Sequence, residues 1–259
     1  MNRRHFLAGA AGAGFVPPSA SAASKKAIFE LRNYRLRNTH ANQVRRTSDF
    51  LEKAAVPALR RAGAGPLGFF SGVIAGDSPF ILALVSFPSL SAMESAMEKM
   101  AADSAFEKAR EEYNAAPDLG YMRIENSLLR GFESMPRIEV PPSEGNRAAR
   151  IFELRTYESN DGSTLRRKIK MFDDDEIAIF RRCGILPVFF GETIVGTHLP
   201  NLTYMVAYDD LAARDKAWSA FGADPGWQRL RARPDLADAE IVSNISNAIL
   251  RPLPFSDIR

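Results

Sequence analysis

The chain carries nearly the same passage twice. Ile28-Phe29-Glu30-Leu31-Arg32-Asn33-Tyr34 returns as Ile151-Phe152-Glu153-Leu154-Arg155-Thr156-Tyr157. Arg60-Arg61-Ala62-Gly63 then matches Arg181-Arg182-Cys183-Gly184, Phe69-Phe70 matches Phe189-Phe190, and Ala102-Asp103 matches Ala223-Asp224. Asn126-Ser127-Leu128-Leu129-Arg130 closes the series against Asn247-Ala248-Ile249-Leu250-Arg251, with offsets between 120 and 123 residues throughout. Solenoid repeats run roughly 20 to 50 residues. A spacing this long, seen twice, means a duplicated domain, and any fold must place two similar units in one chain.

Residues 1–22 stand apart from both copies. Arg3-Arg4 precedes His5-Phe6-Leu7, an Ala/Gly stretch runs to Val16, and Ala20-Ser21-Ala22 fits a small-residue cleavage site. The arginine pair indicates twin-arginine export with cleavage after Ala22, to a periplasmic or secreted location. The stretch from Phe6 to Val16 is shorter than the roughly 20 residues that span a bilayer, and no cysteine stands near the cleavage site to carry a lipid, so no stable membrane anchor is expected. The full chain has 34 Lys+Arg against 31 Asp+Glu. Two of those arginines leave with the segment, so the remaining 32 against 31 gives no support to a nucleic-acid partner. With one cysteine, Cys183, no intramolecular disulfide can form.

The first copy, residues 26–132, alternates strand-like over 28–35. Thr39 to Ala62 is helical, with Val44, Phe50, Leu51, Ala54, Ala58 and Leu59 forming one stripe, Pro57 kinking it, and Gly63 and Gly65-Pro66 ending it. Leu67 to Ala75 and Phe80 to Phe87 read as hairpin strands. Ser91-Ala92-Met93-Glu94 reads as a capping box opening a helix toward Tyr113, and Tyr121 to Arg130 as a last strand. Strand, helix, strand, strand, helix, strand is the ferredoxin-like βαββαβ order. Residues 148–259 repeat it. Residues 133–147, with Pro136, Pro141, Pro142 and Gly145, read as a linker.

A ferredoxin-like sheet carries helices on one face, so its strands should alternate apolar and polar. Phe80-Ile81-Leu82-Ala83-Leu84-Val85 is apolar on both faces. Its second face needs cover, and the sheet of the other copy is the available cover. The fold expected is therefore α+β, two ferredoxin-like domains closing face to face into an intrachain version of the dimeric α+β barrel.

Arg214-Asp215-Lys216-Ala217-Trp218-Ser219-Ala220-Phe221-Gly222-Ala223-Asp224-Pro225-Gly226-Trp227 resembles the signature of the NIPSNAP family. The opening Glu153-Leu154-Arg155-Thr156-Tyr157 and the closing Leu250-Arg251-Pro252 with Phe255-Ser256 are similar to that family's two ends. The first copy departs, with Met97 where Trp218 stands, Ser104-Ala105-Phe106 for Pro225-Gly226-Trp227, and Gly131 for Pro252. The resemblance implies the same barrel architecture. Relatives of that barrel class include cofactor-free monooxygenases and haem proteins, but the resemblance names no substrate. The signature also has a structural account: Trp218 and Phe221 share a helix face, and Asp224-Pro225 is an N-cap followed by proline at the first helical position.

Side chains alternate along a strand, so Glu30, Arg32 and Tyr34 share one face, as do Glu153, Arg155 and Tyr157. With Phe29 and Leu31 taken up by the helices, both sets are expected at the sheet-to-sheet seam. There the arginines offer a planar fork to a small acidic or carbonyl-bearing ligand. The competing reading is salt bridging between the same groups. Neither His40 nor His198 has a partner at ligand spacing, so no metal and no haem or other cofactor is expected. Asp173-Asp174-Asp175-Glu176 reads as a solvated helix face. The reading that follows is an exported binding or interaction module for an unknown small molecule or protein, with homo-oligomerisation possible. The alternative is a cofactor-free monooxygenase or isomerase acting on a small aromatic or carbonyl compound.

Overall fold

A computed structural model describes residues 26–142 and 149–259. The expected export segment and residues 143–148, including Gly145, lie outside the described residues. In the first half β1 (Ile28–Arg35) leads to α1 (Gln43–Phe50), a π-helical turn Leu51–Ala55 and α2 (Val56–Ala62). The hairpin β2 (Leu67–Ile74) and β3 (Phe80–Phe87) follows, then α3 (Leu90–Ala101), α4 (Ser104–Asn114) and β4 (Arg123–Gly131). The second half repeats the order. It runs β5 (Ile151–Glu158), α5 (Gly162–Met171), a π turn Phe172–Glu176, α6 (Ile177–Arg182), β6 (Leu186–Val195) and β7 (Asn201–Tyr208). It ends with α7 (Leu211–Ala223), α8 (Pro225–Arg231), α9 (Asp238–Ile241) and β8 (Asn244–Pro252).

All eight strands close into one barrel in the order β1-β3-β2-β8-β5-β7-β6-β4. The halves therefore join edge to edge, through β2 with β8 and β4 with β6, as well as across the interior. Closure satisfies the backbone groups that two open sheets would leave on their edges. It also explains the unbroken apolar run Phe80 to Val85 in β3, a strand buried along its whole length. Phe80, Leu82 and Leu84 enter the barrel core, while Ile81, Ala83 and Val85 pack beneath the helices of their own half. The barrel core interlocks residues of both halves, with Phe29 against Phe189 at 5.4 Å between ring centroids and Phe70 against Phe152 at 5.1 Å.

The long helix of each half is wider in the middle than the sequence indicates. Val56 N–H bonds back to Leu51 O and Ile177 N–H to Phe172 O, the five-residue spacing of a π turn. Pro57 follows the first turn, but Ala178 holds that place after the second, so proline does not cause the distortion. The π turn directs Leu51 and Ala55, or Phe172 and Glu176, into the protein.

Several local expectations change. The first helix starts at Gln43 behind an Asn42 cap, and Val44 is exposed. The second helix is capped by Ser89, which accepts from Ala92 N, in place of a box at Ser91. It is broken at Asp103, whose Oδ1 receives the amides of Ala105 and Phe106 and restarts the chain as α4. Asp224 does the same for Gly226 and Trp227, as its Asp-Pro pairing indicated. Arg61 holds Asp103 at 2.9 Å and Arg182 holds Asp224 at 2.8 Å, so the duplication preserves the corner with its ion pair.

The segment after each final strand crosses to the opposite half. Phe132, at the end of the expected first copy, and Met135, in the expected linker, lie in the second half's core, with Phe132 against Phe190 at 5.7 Å and Phe172 at 6.3 Å. Leu253 and Phe255 pack on the first half's core, with Phe255 against Phe69 at 5.0 Å. Leu253 N and Asp257 N bond to Phe69 O and Leu67 O, extending β2. Among the described residues, no helix is long and apolar enough to cross a membrane.

Candidate ligand-binding site

Glu30, Arg32 and Tyr34 do share a face of β1, but it is the face beneath the helices and not the seam between the sheets. Phe29 and Leu31 fill the barrel interior instead, and Phe152 with Leu154 does so in β5, leaving Glu153, Arg155 and Tyr157 under their own helices. The reason is enclosure. The middle of the barrel takes side chains that need no partners, with the polar Asn33 and Thr156 of the same face left to one end, whereas the helix layer can supply donors and reach solvent.

In the first half Arg32 donates to Glu30 Oε1 from Nε at 3.1 Å and Nη2 at 2.7 Å, and Asn126 Nδ2 donates to the same oxygen at 3.0 Å. Among the described residues these bonds all reach Oε1, leaving Oε2 without one. Two arginine nitrogens are thus spent within the protein, so the fork expected for an acidic ligand is already occupied. Burial raises the Tyr34 phenol above its usual range, against the lowering effect of Arg32. Burial would depress the Arg32 guanidinium, but Tyr34 and Glu30 outweigh it and hold it firmly charged.

Above this trio lies a cavity of about 380 Å³, walled by Leu51, Ala55, Leu59, Ala83, Met97, Met100, Phe106 and Tyr113 among others. Its volume falls within the roughly 300 to 1,000 Å³ range of small-molecule sites. Glu107 and Arg110 also line it. Glu107 Oε2 accepts from Arg110 Nη2, while Glu107 Oε1 is buried with no hydrogen-bond partner. Tyr113 is fixed by Thr47 Oγ1 at 2.8 Å and stacks on Phe50 at 4.4 Å.

The equivalent space in the second half is full. At a spacing of 121 residues, Leu51 becomes Phe172, Leu59 becomes Phe180, Ala83 becomes Tyr204, Met97 becomes Trp218 and Phe106 becomes Trp227. Each replacement is larger. Tyr204 stacks on Phe190 at 4.7 Å, and Trp218 meets Phe180 at 5.6 Å and Phe221 at 5.5 Å. Strand register also corrects the repeat alignment. Phe69 lies opposite Ala83 and Phe190 opposite Tyr204, so Phe190 is the true counterpart of Phe69. A bulge between Pro187 and Phe189 accounts for the one-residue slip.

The second half also saturates its carboxylate. Glu153 receives Arg155 Nη1 at 2.8 Å, Arg214 Nη2 and Nε at 2.8 Å each, Trp218 Nε1 at 3.1 Å and Asn247 Nδ2 at 3.2 Å. Arg155 lies 4.9 Å from the Trp218 ring centre and donates to Tyr157 OH at 3.2 Å. Burial alone would raise the Glu153 carboxyl, but the Arg214 and Arg155 charges outweigh it and hold it below the usual range. The salt-bridge reading therefore describes the second half, and the first half combines pairing with an open cavity.

The acidic run is only partly a solvated face. Asp173 accepts from Ser134, and Asp174 pairs with Lys170, but Glu176 is buried against Lys168 at 3.2 Å. The first half has Thr47 and Ala55 at those two positions. Among the described residues, no group of three or more His, Cys, Asp or Glu is placed to hold a metal ion. Sequence reasoning singled out Met97 as a departure but missed Ala83, Leu51, Leu59 and Glu107. The signal for the first three was small residues standing opposite large ones in the repeat.

Comparison with known proteins places the fold. A candidate monooxygenase from Fusobacterium nucleatum is similar over 88% of this chain and 93% of its own, at 9% identity and a TM-score of 0.58. A second, from Lactobacillus acidophilus, is similar over 88% and 94%, at 12% identity and a TM-score of 0.56. At such identities the likeness concerns the α+β barrel alone. A NIPSNAP-like domain protein from Burkholderia xenovorans is similar over 42% of this chain and 89% of its own, at 26% identity and a TM-score of 0.38. No curated protein matches the chain. Residues 152–257, which make up the filled half, match the NIPSNAP family model.

Proposed function

We propose that this is an exported protein of NIPSNAP type that binds one small, largely apolar molecule per chain in the helix-side cavity of its first half. The supporting observation is the contrast between equivalent positions. The same Glu-Arg-Tyr trio stands beneath a cavity of about 380 Å³ in one half and beneath Tyr204, Phe172, Phe180 and Trp218 in the other. Loss of packing on one side only is what a site released from a structural role would look like.

Native mass spectrometry of protein purified from its own host tests the reading. A retained molecule lost in Ala83→Tyr, which installs the second half's residue, supports it. A retained molecule unaffected by Ala83→Tyr, or none in either protein, refutes it. Export is tested by fractionation and the N-terminal sequence of the mature protein, expected to begin at Ala23.

The second reading is a cofactor-free monooxygenase or isomerase. It is favoured by the Tyr34 phenol and Arg32 bordering the cavity and by the designation of the two similar full-length folds. In that case Arg32 would stabilise developing oxyanion charge while Tyr34 or Glu30 moved a proton. Oxygen uptake with a bound aromatic compound, abolished in Tyr34→Phe, would separate catalysis from binding.

A further inference from the structure

Resting on the reading of the first-half cavity as a binding site, we infer that its ligand is an arylalkylamine: a flat apolar body with a cationic N–H donor group directed at Glu30. The second half supplies the template. There, two of its own side chains occupy the space and complete the carboxylate. The Trp218 indole meets Phe180 edge to face, lies under the Arg155 guanidinium and donates Nε1 to Glu153 Oε2 at 3.1 Å, while the Arg214 guanidinium closes on both Glu153 oxygens at 2.8 Å. Position by position, the first half has Met97 for Trp218 and Met93 for Arg214. Neither methionine can donate. Glu30 therefore keeps Arg32 and Asn126, the counterparts of Arg155 and Asn247, and lacks the two donors that Glu153 draws from α7. What the first half has lost is an aromatic ring, an N–H and a positive charge, and what it has gained is a cavity in their place.

The remaining charges agree in sign. Each cation lining the cavity is already held, Arg32 by Glu30 Oε1 and Arg110 by Glu107 Oε2. Each of those carboxylates retains one oxygen, Glu30 Oε2 and the buried Glu107 Oε1, which has no hydrogen-bond partner. A buried acceptor left unmatched is costly, so the site favours a molecule that brings donors. An anionic ligand would meet two carboxylates whose cations are already engaged.

Tryptamine, which joins an indole to an ammonium group, is the probe; 3-methylindole and indole-3-acetate are its neutral and anionic counterparts. Titration calorimetry on the whole chain should show tryptamine binding at least tenfold more tightly than indole-3-acetate. Glu30→Gln should reduce tryptamine affinity about tenfold and that of 3-methylindole, which offers Glu30 only a neutral ring N–H, by a smaller factor, and Met97→Trp should abolish all binding. The ligand comparison on the unaltered protein stands even if a variant folds poorly. Indole-3-acetate binding as tightly as tryptamine, or Glu30→Gln without effect, overturns the assignment of the ligand while the cavity remains a binding site. If none of the three binds, the assignment falls. Binding that survives Met97→Trp overturns the assignment and the cavity reading together.

Discussion

Trp218→Met would give the second half the residue the first half carries, and its cost can be worked from contacts. The indole loses its bond to ionised Glu153, worth about 1.5 kcal/mol because four other donor atoms remain. Truncating a packed tryptophan to alanine costs about 3–5 kcal/mol, and methionine retains roughly half of that packing against Phe180 and Phe221. The Arg155 guanidinium, 4.9 Å from the ring centre, forfeits about 0.5–1 kcal/mol. The combined loss is about 4 kcal/mol. For a chain of this size each kcal/mol moves the midpoint by about 2–4 °C, so Tm should fall by about 12 °C. Thermal and urea unfolding followed by far-ultraviolet circular dichroism measure this without relying on tryptophan emission, half of which the substitution removes. A loss below about 1 kcal/mol would mean that Trp218 does not hold the second half closed, and the contrast between the halves would lose its physical basis.

Lys168→Thr should destabilise the protein by about 3–5 kcal/mol by leaving Glu176 buried without its cation. The double variant Lys168→Thr/Glu176→Ala, which copies Thr47 and Ala55, should recover most of that loss in chemical unfolding. Glu153 is held below the ordinary carboxylate range, so its contribution is fully present above the unfolded-state value of about 4.3 and lost as pH falls through its lower folded value. Glu153→Gln should therefore be less stable near neutrality, with the gap narrowing below about pH 4 in urea titrations at stepped pH. Ile258→Ala removes a fully buried side chain and should cost about 2–5 kcal/mol. Because Trp218 and Trp227 are the chain's two tryptophans and both lie in the second half, their emission and the circular dichroism signal should shift by the same amount if the halves unfold as one.

The barrel was legible because β3 is apolar without a break from Phe80 to Val85, and period-two reading can detect that both its faces need cover. The same periodicity places Glu30, Arg32 and Tyr34 together but does not say which face points inward, and there the sequence reading was inverted. Both π turns escaped notice, since a single widened turn leaves the apolar stripe nearly intact. The buried Met135 and Ile138 were hidden among prolines that suggested a linker. The cavity could have been found by comparing side-chain volumes across the repeat. That comparison, however, needs the correct register at Phe69 and Phe190, which the bulge in β6 obscures.

The crossing of the two tails sets an order on synthesis. When residue 131 has left the ribosome, every strand of the first half exists, yet β2 still lacks β8, and Phe69 lacks Phe255. The segment from Leu253 to Arg259 seals a core begun nearly two hundred residues earlier. The emerging first half must therefore wait, incompletely covered, until the far end of the second half has been made.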